Sequence, residues 1–217
     1  MASSVDICNL SLSHLGDEAT VTSIDPPEGS PQAAHCKTFY TIARDQLLEE
    51  HAWSFATKRV ALAQISSATP SEWSYAYAAP ADLLGSSSIL NIFSDGNFTG
   101  KGDDFIIETT DANGIVIYTN TETAYCRYVK KVTDTTKFTP MFVNTLSYLL
   151  ASFLAGPVVK GETGMQVAQG MIKMYNYQLA IAKSSDASAR QLDIKHTPDH
   201  ISVRGMNTQT PDAWIKR

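Results

Sequence analysis

The feature of the sequence that most limits the fold is a change of hydrophobic period within residues 49–63, EEHAWSFATKRVALA. Before this stretch, apolar residues recur every three to four positions, as they do on one face of a helix. After it, apolar and polar residues alternate, which is typical of a half-buried strand. Trp53 and Phe55 lie at the change, where large aromatic side chains can pack two parts of a fold together. We therefore predict that Trp53, Phe55 and Arg59 form the junction between a helical part and a β part.

Helical periodicity is found at both ends of the chain. Four apolar stripes with helical spacing occupy residues 5–15, 36–47, 142–154 and 168–182. Gly156-Pro157 and the segment KGETG at 160–164 are expected to break the chain between the third and fourth helices. Because no single helix can bury its own stripe, the four helices are predicted to pack as an antiparallel bundle.

Strand patterns fill the middle of the chain. Six segments show them, at residues 59–65, 72–80, 86–93, 104–109, 114–120 and 124–132. In the second segment, Trp73, Tyr75 and Tyr77 are predicted to share one face of the strand. The separators SDGNFTGKGD and TDANG are rich in Gly, Asn and Asp, which favours hairpin turns.

The separation of helices from strands along the chain indicates an α+β fold. We expect residues 1–52 and 138–190 to form the α-helical bundle, with residues 53–137 as an inserted antiparallel β-domain. Residues 191–217 lose periodicity and become polar, so they are predicted to form an extended C-terminal tail. An aromatic residue in such a segment commonly anchors an interface. The candidate residues for attachment to another protein or a neighbouring subunit are Trp214, Ile215, Lys216 and Arg217.

Composition and charge argue against two classes of protein. The net charge of -5 is unlike the basic face of a dedicated nucleic-acid binder. The apolar run at 142–159 is interrupted by polar residues and by Gly156-Pro157, so we expect no membrane-spanning segment. The first ten residues, MASSVDICNL, lack the basic and apolar regions of a signal peptide.

No stretch of the sequence predicts catalysis, a metal site or a bound cofactor. In GNFTGKGDD only three residues separate the first glycine from the Gly-Lys pair, so the phosphate-loop spacing is not met. Glu49, Glu50 and His51 are consecutive on a helix and cannot point at one ligand. The three cysteines lie far apart in sequence, which favours small buried thiols over a metal pair.

An ordered series of short motifs resembles one known family. The series comprises NLSLSHLGDEATVTSID (9–25), CKTFYTIARDQLLEEHAWSFATKRVALA (36–63), WSYAYAAPADLL (73–84) and LSYLLASFLAGPVVKGETG (146–164). Together these stretches resemble the tail tubular protein A, or head-to-tail adaptor, family of short-tailed (podovirus-type) bacteriophages. The resemblance includes the N-L-x-L-x-x-L-G opening and the W-S-F-A stretch at the junction.

The resemblance implies a structural virion protein with no enzymatic activity and no cofactor. Members of the family form a dodecameric ring between the portal protein and the tail nozzle, tail tubular protein B. Genomic DNA passes through the ring without sequence-specific binding, and no membrane is involved. The protein would be made in the host bacterial cytoplasm and would end at the head-tail interface of the virion.

Two other readings of the sequence remain open. One is a different phage tail part, such as a terminator or a nozzle-associated protein. The other is a small-ligand binding module or enzyme that uses the β-domain, which would require a concave pocket with converging polar groups.

Overall fold

The computed structural model describes residues 2–18, 20–65, 70–96, 98, 102–111 and 114–188. Its helices are α1 (Ser4–His14), α2 (Pro31–Glu49), α3 (Pro140–Val159) and α4 (Gly161–Ser188). Its strands are β1 (Thr57–Ala61), β2 (Tyr75–Ala78), β3 (Ile89–Phe93), β4 (Phe105–Thr110), β5 (Gly114–Thr119) and β6 (Tyr125–Val129). The predicted α+β class is confirmed. The predicted tail, residues 191–217, lies outside the described residues.

Local sequence sets where three of the helices begin. The Ser3 hydroxyl accepts a hydrogen bond from the Asp6 N–H at 3.1 Å, and the Asp6 carboxylate accepts one from the Ser3 N–H at 2.8 Å. This reciprocal pair is a capping box, which satisfies two amide groups that a helix start otherwise leaves free. Ser30 caps α2 and Thr139 caps α3 in a similar way, each followed by a proline at the first helical position.

Of the two predicted breaks between the third and fourth helices, the one at Gly156-Pro157 is wrong, whereas the segment KGETG does contain the break, at Lys160. Helix α3 continues through Pro157 and ends two residues later, at Val159. The chain reverses at Lys160 and Gly161, which both have positive φ angles, 61° and 65°. Helix α4 therefore begins at Gly161 rather than after 164. Gly164 is a packing residue, since a Cβ there would lie 3.1 Å from the Ala155 carbonyl oxygen of α3.

Two small antiparallel sheets form the β part, with strand orders β1–β6–β3 and β2–β5–β4. Strands β4 and β5 form the hairpin predicted around TDANG. The hairpin predicted around SDGNFTGKGD is wrong, because β3 pairs with β6 while β4 joins the other sheet. Ile92 and Asp103 still form one isolated antiparallel bridge between those segments.

The prediction that Trp73 shares a face with Tyr75 and Tyr77 is also wrong. Tyr75 and Tyr77 pack in the apolar cluster that contains Ile117 and Tyr128. Trp73 packs instead against the small cluster that contains Val116. The reason is that β2 begins only at Tyr75, so the alternation of a strand does not extend back to residue 73.

The largest buried cluster draws side chains from all four helices. Representative members are Leu12 of α1, Leu47 of α2, Leu146 of α3 and Leu179 of α4. Residues from the β part also belong to it, namely Trp53, Ala56, Val129 and Val132. A second cluster joins the two sheets and includes Tyr77, Ile92, Ile117 and Cys126. The helical part and the β part therefore share core residues at their boundary.

Among the described residues, α3 is the one helix that is long and apolar enough to cross a membrane by length and composition. More than half of that stretch is buried inside the fold, and Phe142, Leu146 and Leu150 are fully inaccessible. Helix α3 contacts both α1 and α2, so its apolar composition is explained by its central position in the core.

Candidate assembly surfaces

Trp53 lies in the link between α2 and β1, where the hydrophobic period changes. Its side chain is 1% exposed, and its indole N–H donates a hydrogen bond to the Leu47 carbonyl oxygen at 2.8 Å. The indole ring meets the Phe142 ring of α3 edge to face, with centroids 5.1 Å apart. One side chain thus joins the last turn of α2 to the first turns of α3.

Phe55 extends the same aromatic group. Its ring lies 5.8 Å from the Phe138 ring and 5.1 Å from the Phe142 ring. Residues 53–55 lead out of α2 into the strands, and Phe138 leads back from the strands into α3. The two crossings between helices and strands are therefore packed against each other. We call Trp53, Phe55, Phe138 and Phe142 the aromatic cluster.

Arg59, the third residue predicted at the junction, is placed elsewhere. It is an exposed residue of β1, opposite Arg127 in the register with β6. Its guanidinium carbon lies 5.2 Å from the centroid of the Phe98 ring, within the range of a cation–π contact. The structure brings Trp53 and Phe55 together but does not add Arg59 to them. The candidate attachment residues Trp214, Ile215, Lys216 and Arg217 lie outside the described residues.

A buried carboxylate near the end of α4 binds the segment that follows α2. Asp186 accepts hydrogen bonds from the Ser54 hydroxyl at 2.6 Å and from the Ser54 N–H at 3.0 Å. Its other oxygen lies 3.2 Å from Nε2 of His51. The Asp186 side chain is only 5% exposed. These contacts attach the C-terminal end of α4 to the segment that carries Trp53.

The charge of Asp186 is maintained by its hydrogen bonds. Burial works against the carboxylate and alone would raise its pKa. The hydrogen bonds from Ser54 and the contact with His51 outweigh burial, so the pKa of Asp186 lies below the ordinary value of 3.8. Sequence reasoning missed this residue because its partners are 132 and 135 residues away and no local pattern links them.

The exposed side chains of α4, which together we call its outward face, are unusually apolar, and they extend around the helix so that Ile172 and Tyr177 are about 140° apart. Met165 is 66% exposed, Ile172 is 45% exposed and Tyr177 is 62% exposed. Between Met165 and Ala182 the only charged residue is Lys173. Methionine and tyrosine are enriched in protein interfaces, whereas lysine and glutamate are depleted there. The outward face of α4 therefore has the composition of an interface on a helix about 42 Å long.

A cleft of about 640 Å³ lies among the start of α1, the middle of α2 and residues 133–135. Lys37 and Asp25, two of its lining residues, form an exposed ion pair at 3.4 Å. Burial raises the pKa of Tyr40, which also lines the cleft, to about 12, so its hydroxyl stays protonated at neutral pH. Within the described residues no group of three His, Cys, Asp or Glu is placed to hold a metal ion.

A scan against protein-family models and a search of curated proteins return no match for this chain. The resemblance to the adaptor family therefore stays an expectation. The function of this chain is therefore inferred from its contacts and surfaces.

Replacing Trp53 with alanine should lower the free energy of unfolding by about 3–5 kcal/mol, because a fully buried ring is removed. Trp73→Ala is the matched control, since Trp73 is only half-buried and should cost less. Chemical denaturation of both variants measures the difference. An unchanged stability for Trp53→Ala would contradict the joining role of Trp53.

Replacing Asp186 with asparagine should lower the free energy of unfolding at neutral pH by about 1–3 kcal/mol, because Ser54 loses a charged acceptor. The folded-state pKa of Asp186 is below 3.8, so its contribution is complete above that pH and is lost as the pH falls through the folded value. The difference from wild type, measured by denaturation, should therefore shrink in strong acid.

The control for this experiment is Asp104→Asn, a change at an exposed carboxylate that should leave the stability nearly unchanged. A difference between wild type and Asp186→Asn that stays constant into strong acid would show that the carboxylate charge does not stabilise the fold.

Proposed function

We propose that the protein is a structural component of a short-tailed phage particle, the head-to-tail adaptor. In this proposal twelve copies form a ring between the portal protein and the tail nozzle, and the genome leaves through its channel. The helices of each copy form an antiparallel bundle, and the C-terminal tail reaches the portal or a neighbouring copy. The order of motifs along the sequence supports this assignment.

The observation that carries the proposal is the outward face of α4. Met165, Ile172 and Tyr177 are exposed in the isolated chain, and exposed apolar surface of this kind marks a site of association. A ring requires each copy to present two different surfaces, one to each neighbour. The outward face of α4 is one of them. The second comes from another helix, and Ile42 of α2, which is 53% exposed, is the candidate.

The contacts around Trp53 and Asp186 also suit a ring subunit. They fix the C-terminal ends of α2 and α4 relative to the segment that leads into the strands, so a helix face used in assembly would be held rigidly there. A rigid surface loses little conformational freedom on association. The mild negative charge of the chain agrees with a channel that does not retain DNA.

The double variant Ile172→Glu/Tyr177→Glu should fold normally but fail to form rings, because two charges would enter the interface between copies. Native mass measurement and electron microscopy, with the chain alone and mixed with its portal, provide the readout. The control Ser71→Glu introduces a charge at an exposed site in the β part and should assemble like wild type. If wild type stays monomeric on the portal, the ring proposal fails.

Truncation after Asp193 should weaken attachment to portal-bearing particles by about tenfold or more, because the candidate anchor Trp214 and the cations Lys216 and Arg217 are removed. Co-sedimentation with the particles measures the loss. The matched control replaces only Lys216 and Arg217 with serine, which separates charge from the aromatic anchor. Equal attachment of the truncated and full chains would exclude the tail as an attachment arm.

A further inference from the structure

Strand β4 is an edge strand of the sheet β2–β5–β4, and no described strand pairs with its outer side. The Ile115 carbonyl of β5 accepts a hydrogen bond from the Ala79 N–H, so the backbone N–H and C=O of Ile115 point toward β2. Backbone groups alternate in direction along an antiparallel strand. Ile117 therefore also faces β2, and its register partner Ile107 directs its N–H and C=O away from β5. The residues that share this outward direction are Phe105, Ile107 and Thr109.

This outer side of β4, which we call the free edge, lacks the proline, lysine and bulge that often protect an edge strand. The sequence of β4 is FIIETT, in which Glu108 is the one charged residue. Its register with β5 has no bulge. Ile106 is 42% exposed beside Tyr118, which belongs to a small apolar cluster with Ala76. An added strand would cover Ile106.

The charge around the free edge selects the kind of strand that fits. Residues 103–111 carry four carboxylates, those of Asp103, Asp104, Glu108 and Asp111, and no basic residue. The neighbouring strands β5 and β2 carry no charge at all. A second copy of β4 would bring the same four negative charges to this edge, and like charges directly opposite each other destabilise a strand pair. A basic strand is favoured instead.

We propose that the free edge of β4 binds an extended, basic segment of a different protein chain, which adds to the sheet as a further strand. Ile106 and Glu108 lie on the same face of the sheet, because side chains alternate along a strand. The bound segment therefore carries an apolar residue opposite Ile106 and a basic residue two positions away, opposite Glu108. The inference rests on the proposed function, in which this chain connects other components of the particle.

The probe for this site is a fluorescein-labelled peptide, acetyl-KTVTKTVTK, which places valine and lysine alternately on one face of a strand. Its binding to the full chain is measured by fluorescence anisotropy. Thr109→Pro removes an outward N–H and blocks the edge, whereas Thr109→Ala keeps that donor. We expect binding about tenfold or more weaker for Thr109→Pro and for Glu108→Lys, and unchanged for Thr109→Ala. Melting temperatures close to wild type show that the variants are folded.

The companion peptide acetyl-ETVTETVTE should not bind, because its charges repel the carboxylates around β4. Failure of the lysine peptide to bind wild type, or equal binding to Thr109→Pro, overturns the proposal. If wild type self-associates and Thr109→Pro abolishes that association, the occupant is a second copy and the proposed partner is wrong. The peptide assay needs neither a ring nor a portal. A negative peptide result therefore does not contradict the ring proposal, and a failure to form rings does not contradict a positive peptide result.

Discussion

The burial of Trp53 against Phe142 is the interaction on which the rest of the structure depends. The chain passes from helices to strands and back, and both crossings pack in the aromatic cluster. Ala56, Val129 and Val132 add further contacts between the β part and the helical core. Asp186 adds a second constraint at the same place, since it binds Ser54 from the far end of α4. Helices from both ends of the chain are thus held at one point.

Residue patterns in the sequence predicted the elements of this fold because each element buries one face. The stripes of helical spacing and the alternating segments correspond to the four α-helices and six strands of the described part of the chain. Two of the incorrect predictions concern residue types, proline and glycine, that can either interrupt a helix or be part of one. Pro157 was interpreted as a break, but α3 continues past it to Val159. Gly164 was interpreted in the same way, but it allows α4 to approach Ala155.

The candidate surfaces were less predictable than the fold, and for a different reason. Whether Met165 or Tyr177 faces the core or the solvent depends on how α4 is rotated against α3, which a stripe of mixed residues does not determine. Asp186 gave no signal because its partners are distant in sequence. The free edge of β4 is determined by the order of strands in its sheet. The sequence had suggested a different order, in which β4 pairs with β3.

The group of Ser54, His51 and Asp186 contains the residue types of a hydrolytic triad, but its geometry serves a structural purpose. In a triad, histidine lies between the serine and the carboxylate and takes the serine proton. Here the Asp186 carboxylate lies between Ser54 and His51, and it accepts a hydrogen bond from the Ser54 hydroxyl. That arrangement lowers the pKa of Asp186 and leaves Ser54 unactivated. The three side chains thus attach the C-terminal end of α4 to the segment between α2 and β1.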